Sequence, residues 1–456
     1  MADLPRLGLA VAGTGPEPSM AGLALLAGLT SRRCQVQHFR AKACPLSTEV
    51  IRQVTGLPGR HLDPWLMPPE VLQAVFSRGA GHADLAVVEG TLDRPSLSLD
   101  CAHHSHPGGL GPIAAALDLP KVAVVRCPKW GEFHLPGLPD GIDAILLDDL
   151  ADPTDYARLK HLVGLLARRP VLGAVESLPE IRRALASLPP NAEVLEDLVA
   201  PLAASFLRFA DLDALNDLAR SRPALVLPSC CTGAGTETRP RMRVAYALDE
   251  AFGGYFPDTL ETLEALGAEL FDFSPLRDES LPPNIDLILI GCGVPDQHAD
   301  ALAANQCLIA ALKAHVCQGR RIYSEGGGTA YLGRSMILPD RCVPGAGILP
   351  IDSELRADMT PPVPVERTLD RDAWLGLAGT TVRGYRSGRW NLSPVDIDSH
   401  CRNCYGTLSS EGDFVFHHHA VGSLIHLHFG ALPEVVAAFV GPHRPSLNLP
   451  RVKFDR

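Results

Sequence analysis

A chain of 456 residues is long enough for two or three domains, and its 46% hydrophobic and 20% charged residues exclude wholesale disorder. A formal net charge of -11 argues against a nucleic-acid partner, which would call for a basic face. No apolar run reaches membrane-spanning length and residues 1–5 do not read as a signal peptide, while 12 irregularly spaced cysteines predict reduced thiols in a cytoplasmic protein.

Residues 7–12 form a short apolar run, followed by Gly13-Thr14-Gly15 and a helical stretch over 20–29. Strand, glycine turn and helix are the setting of a phosphate-binding loop, which makes Gly13 and Thr14 candidate ligand-binding residues. The loop departs from that chemistry. Met20 stands where a lysine would reach the phosphates and Ala21 where a hydroxyl would hold Mg²⁺; Pro16 and Pro18 remove backbone donors, and Glu17 adds a negative charge. A plain strand-to-helix turn is the competing reading. Further strands are expected at 34–39, 83–90, 121–125, 144–147 and 171–175, with helical patterns between them, so this half should be a mostly parallel sheet. Glu89 lies at the carboxyl end of one of these strands, where open α/β sheets place their sites; a capping or solvent-facing role is the alternative.

Residues 229–241 are small and polar without periodicity, and read as a linker between a first domain, 1–228, and a second, 242–456. Beyond it the α/β alternation resumes, with strands at 243–248, 269–273 and 286–290 and a helix over 300–316. The stretch 321–333 predicts a sharp strand-to-helix elbow of the kind that lifts a nucleophile above a sheet. Its tip is Gly326, and no neighbouring Ser, Thr or Cys is expected to reach that place. Tyr255 and Ser274 are expected at sheet ends beside a ligand, with turn and helix-start chemistry as the alternative. Cys401 and Cys404, spaced as metal ligands, form a candidate metal constellation with the histidine run that starts at His417, against a surface loop as the other reading.

Together these landmarks resemble the cobyrinic acid a,c-diamide synthase family, which joins an ATP-using amidoligase domain to a class I glutamine amidotransferase domain. The resemblance is carried by His61-Leu62-Asp63-Pro64-Trp65, by Ala83-Asp84-Leu85-Ala86-Val87-Val88-Glu89-Gly90, by Phe273-Ser274-Pro275-Leu276-Arg277-Asp278-Glu279 and by Gly291-Cys292-Gly293-Val294-Pro295-Asp296-Gln297-His298. Leu424-Ile425-His426-Leu427-His428-Phe429 looks like the segment that carries the family's catalytic histidine, which would be His426. The resemblance implies an α/β fold: a P-loop-like, mostly parallel sheet domain followed by a class I glutamine amidotransferase-like (flavodoxin-like) domain. It also places Asp63, Glu89, Tyr255, Ser274, Gly291, Gly293, Glu325 and Gly327 around the ligands.

The departures fall on the chemistry. Cys44 and Ser47 replace aspartates of the amidoligase site, Ser96 replaces another, and Gly326 replaces the cysteine that attacks glutamine. An amidoligase must neutralise a triphosphate and hold Mg²⁺, and glutamine hydrolysis needs a thiolate with a histidine to move its proton. ATP and Mg²⁺, implied by the resemblance, are therefore expected to be lost. The expected function is that of a degenerate relative that binds a tetrapyrrole-type small molecule or serves as a partner to an active paralogue or a second copy of itself. The alternatives are an amidoligase with a rebuilt site that uses glutamine or free ammonia, and a metal-binding protein built on Cys401, Cys404 and His417–His419.

Overall fold

The computed structural model describes residues 4–11, 19–44, 49–92, 108–127, 137–187, 196–225, 242–357, 362–370, 373–395, 407–408, 412–432 and 435–436. The chain divides into two compact units, Met1–Cys231 and Thr232–Arg456. Among the described residues no helix is long and apolar enough to cross a membrane.

The first unit is a parallel sheet with helices between its strands. In chain order it runs β1 (Arg6–Val11), α1 (Met20–Ser31), β2 (Val36–Arg40), α2 (Glu49–Thr55), β3 (Arg60–His61), α3 (Pro69–Ala80), β4 (Leu85–Thr91), α4 (Leu110–Leu117) and β5 (Lys121–Arg126). It continues with β6 (Ala144–Leu150), α5 (Tyr156–Ala167), β7 (Val171–Glu176), α6 (Pro179–Ala186), α7 (Glu196–Phe209) and α8 (Leu212–Ala219). The sheet order is β3-β2-β4-β1-β5-β6-β7 and every pairing is parallel. Such strands are covered on both faces, which is why they read as apolar runs and not as alternating patterns. Helix α1 is buried from Ala21 to Leu29, so it is a core helix, apolar all round. The strand order reverses at β1 and β4, which sets the carboxyl end of β4 beside the start of α1.

The second unit contains β8 (Arg243–Ala247), β9 (Phe252–Gly254), α9 (Pro257–Ala265), β10 (Glu269–Phe273), β11 (Leu287–Ile290), β12 (Cys292–Gly293), α10 (Ala299–Ala304), α11 (Gln306–Cys317), β13 (Arg321–Glu325) and α12 (Gly327–Leu332). Then come β14 (Ser335–Ile337), β15 (Cys342–Pro344), β16 (Ile351–Leu355), β17 (Val363–Thr368), β18 (Thr381–Arg386), β19 (Trp390–Pro394), β20 (Thr407–Leu408), β21 (Phe414–His417), β22 (Ala420–Ser423) and β23 (Ile425–Leu427). Its main sheet runs β10-β8-β11-β13-β22-β21-β20, parallel from β10 to β22 and antiparallel beyond. Where one helix was expected over 300–316, there are two, broken at Asn305. Its Oδ1 caps α11 by accepting from the Leu308 N–H, and its Nδ2 donates to the carbonyls of Pro275 and Asp278, bonds that a continuous helix would not allow.

Candidate active site

Strand β13 ends at Glu325, and Gly326 turns the chain with φ 51° and ψ -113° before α12 begins at Gly327. That conformation lies outside the regions open to residues with a side chain. The helix start is also held close: a Cβ on Gly327 would lie 2.7 Å from both the Gly293 carbonyl oxygen and Pro295 Cδ. The elbow expected from the sequence is therefore formed, seated on the segment that leaves β11.

That segment is shaped by Tyr255. Its hydroxyl donates toward the carbonyls of Ala247 and Leu289, 2.9 and 3.2 Å away, and accepts from the Gly291 N–H at 2.9 Å. These are the ends of β8 and β11, where the sheet order reverses, so the phenol closes the place at which this fold type opens a ligand crevice. Burial pushes the phenol well above its ordinary range, in spite of the Gly291 bond. Gly291 fits because a Cβ there would meet the Tyr255 ring at 2.7 Å. After Gly291 the chain bends into β12, which pairs with β9 and brings Gly293 against the Ala251 carbonyl.

This bend directs Cys292 at the elbow, a residue that the sequence reading did not select. Its Sγ lies 2.6 Å from His426 Nδ1, and it would be 3.7 Å from a Cβ on Gly326. The expectation concerned neighbouring Ser, Thr or Cys residues of the turn; the thiol that approaches the elbow comes from the neighbouring strand end. The ring of His426, on β23, occupies the ground where a side chain at 326 would start, with Cε1 2.7 Å from that Cβ position. Glu325 completes the group. Its Oε2 is 3.5 Å from His426 Nδ1, while Oε1 accepts from the Tyr323 hydroxyl at 2.8 Å and the Leu427 N–H at 3.0 Å. Burial and then the Glu325 charge hold the Tyr323 phenol protonated, far above its ordinary value. Cys292, Glu325 and His426 are all buried. Glu325 also lines a pocket with Tyr255, Phe256, Thr259, Gly291 and Tyr323. In that pocket Thr259 Oγ1 has no hydrogen-bond partner among the described residues.

The remaining candidates are placed elsewhere. His428 lies past the end of β23, its ring 4.7 Å from that of Phe256 and its Nε2 3.8 Å from Asp258, so it does not join His426 at the elbow. Ser274 donates to Asp249 Oδ2 at 2.9 Å and accepts from the Arg277 N–H, which makes it a turn residue after β10. His417 is buried with Nδ1 2.7 Å from the Ile348 carbonyl, and burial lowers its pKa. Its expected companions Cys401 and Cys404 lie outside the described residues, as do Gly13 and Thr14.

In the first unit Glu89 is an internal anion. Its Oε1 accepts from the Ser19 N–H at 2.7 Å and its Oε2 is 3.2 Å from His38 Nε2. Ser19 in turn caps α1 by accepting from the Gly22 N–H. A Cβ on Gly22 would be only 2.6 Å from Glu89 Oε2, so the carboxylate sits on the positive end of the helix, where an external anion would bind in a phosphate loop. Burial alone would raise the Glu89 pKa, but the His38 bond and charge, Arg40 and the Ser19 N–H bring it below the ordinary value. Of the two readings of Glu89, ligand group or capping residue, these bonds match the capping one. Asp63 is likewise internal: fully buried, it accepts from the Ala43 and Trp65 N–H groups and ties together the segments that follow β2 and β3.

Comparison with known proteins agrees with this architecture. The CobB/CobQ-like glutamine amidotransferase domain matches residues 243–433. The chain is similar to the cobyrinate a,c-diamide synthase of Syntrophotalea carbinolica, 30% identical over 363 residues, covering 74% of this chain and 75% of that protein. The protein of the same name from Dehalococcoides mccartyi strain CBDB1 is 27% identical over 463 residues, 96% of this chain and 98% of its own length. That of Salmonella typhimurium is 31% identical over 345 residues, 72% of this chain and 73% of its own. With its two α/β units and a relative of this identity aligned over most of its length, the chain belongs to the cobyrinate a,c-diamide synthase family.

Proposed function

We propose that this chain is a relative of cobyrinate a,c-diamide synthase that binds a tetrapyrrole-type ligand, of the class named by its relatives, without carrying out ATP- and glutamine-dependent amidation. The observation that carries the reading is Gly326: the elbow is formed, its tip has no side chain, and the His426 ring fills the ground where a nucleophile would begin. Acyl transfer from glutamine needs a nucleophile beside its base with open access for the amide carbonyl. The one thiol beside His426 among the described residues, Cys292, is 2% exposed. Glu89 on the start of α1 supports the same reading for ATP, since a triphosphate would have to displace a buried carboxylate of like charge.

The purified chain should bind cobyrinic acid in an absorbance titration. It should release no glutamate from glutamine in the presence of ATP, Mg²⁺ and that ligand, and show no Mg²⁺-dependent ATP binding by calorimetry. Saturable ATP binding together with ligand-dependent glutamate release would overturn the loss of activity. Failure of the corrinoid titration would remove the binding role and leave a partner-subunit role in its place.

A further inference from the structure

We propose that Cys292, Glu325 and His426 form a binding site for a thiophilic divalent cation of the zinc type, built on the elbow that lacks its nucleophile. This goes beyond the ligand role above and does not depend on it. One ligand atom from each of the three lies within 4.8 Å of the other two. Thiolate, imidazole and carboxylate are the donor types that zinc takes, and three protein ligands with an open fourth place are a common arrangement. With zinc–sulfur bonds near 2.3 Å and zinc–nitrogen or zinc–oxygen bonds of about 2.0–2.1 Å, tetrahedral ligand atoms lie about 3.3–3.6 Å apart. The His426 Nδ1 to Glu325 Oε2 separation of 3.5 Å already has this value. Cys292 Sγ, at 2.6 Å from Nδ1 and 3.3 Å from Nε2, lies over the face of the ring, so its side chain has to swing by more than about 1 Å toward the ring edge at Nδ1 to share the ion.

The surroundings favour a cation over a bare triad. Glu325 Oε1 is held by the Tyr323 hydroxyl and the Leu427 N–H, which orients the carboxylate and leaves Oε2 turned to the histidine. A carboxylate, a thiol and an imidazole gathered at low exposure are costly as separate charges, and a bound dication offsets that cost. A nucleophilic use of Cys292 meets the opposite difficulty, because its sulfur is packed on the imidazole at 2% exposure. Glu325 is shared with the pocket lined by Tyr255, Thr259 and Tyr323, and the fourth donor would come from that side of the carboxylate.

The test uses the full chain, stripped with a chelator and titrated with Co²⁺ and, separately, Zn²⁺. The expected result is one equivalent of either ion, with Co²⁺ giving a thiolate-to-cobalt charge-transfer band in the near ultraviolet. Cys292→Ser should abolish the band, and Glu325→Gln and His426→Gln should each weaken binding by at least about tenfold. Tyr323→Phe, which keeps all three ligands and removes one bond to Glu325, should weaken it by about tenfold. Cys307→Ser, at an exposed thiol away from the group, should change nothing. A parent protein without the band, or a band that persists in a folded Cys292→Ser variant, overturns the site. So does glutamate release by the stripped protein that depends on Cys292, which would make the sulfur a nucleophile. If Cys292→Ser fails to fold, Glu325→Gln and Tyr323→Phe decide the matter: unchanged affinity in both overturns the proposal.

Discussion

Placing any side chain at position 326 should destabilise the second unit, and the cost should depend on His426. Gly326→Ala adds one methyl group at φ 51°, ψ -113°. A non-glycine residue held in such a region costs about 1–3 kcal/mol. The new Cβ would also lie 2.7 Å from His426 Cε1 and 3.4 Å from Nε2, and overpacking of this kind adds about 1–3 kcal/mol, for a total of about 2–6 kcal/mol. Native-state hydrogen exchange at the amides of β11 and β13 would measure the loss in this unit separately from the other. Because the second contribution comes from the imidazole, Gly326→Ala combined with His426→Ala should be less destabilised than the sum of the two single changes, by about 1–3 kcal/mol. Gly326→Cys, which meets the same ring, should not create glutaminase activity. An alanine variant within about 0.5 kcal/mol of the parent, or a cycle additive to within that margin, would refute the reasoning.

Glu89→Gln should lower the stability of the first unit at neutral pH by about 1.5–3 kcal/mol, through the loss of charged hydrogen bonds. Glu89 is held below its ordinary pKa of 4.5, so its carboxylate contributes stability above that pH, and the contribution is lost as pH falls below it through the folded pKa. The gap between parent and variant should therefore narrow on acidification; unfolding curves in which it widens would contradict the assignment. Tyr255→Phe removes the hydroxyl shared by Ala247, Leu289 and Gly291 and should cost about 1–3 kcal/mol, read as a fall in melting temperature of about 2–4 °C per kcal/mol. An unchanged melting temperature would leave Tyr255 as a pocket residue only. Asp413→Asn leaves the Arg367 and Arg386 guanidinium groups facing a neutral side chain at a fully buried position, and should cost about 3–5 kcal/mol by the same measurement. A loss under about 1 kcal/mol would mean that solvent already screens the pair of arginines.

The two units close their sheet ends in related ways. In the first, Glu89 of the same chain covers the positive end of α1. In the second, Gly326 gives the elbow no side chain, and the His426 ring closes over it while Cys292 approaches from β12. Both arrangements set an internal polar contact at a strand-to-helix junction. Strand order and turn geometry persist because they rest on backbone pairing and close glycine contacts, which do not need the catalytic side chains.

The sequence by itself determined the alternation of apolar strands and helices in both halves, the elbow at Gly326 and the family. These are local signals: a run of apolar residues between glycines reads the same whatever it later packs against. It also showed Met20, Ala21 and Gly326 at the places where the resemblance calls for a lysine, a hydroxyl and a cysteine, since residue types need no structure to be read. Three things were decided only by the tertiary structure. Cys292 and His426 are 134 residues apart and meet because β11, which leads to Cys292, and β22, which leads into β23, lie on either side of β13 in the sheet. The one local hint was a cysteine between two glycines directly after a strand, at the sheet end where sites form. For Glu89 and Tyr255 the sequence allows a ligand role or a capping and turn role, and only the folded structure shows their polar atoms bonded to Ser19 and His38, and to Ala247, Leu289 and Gly291. A side chain at the end of a strand can face a ligand or the next element, and the choice is made by which backbone groups the fold leaves to be satisfied there.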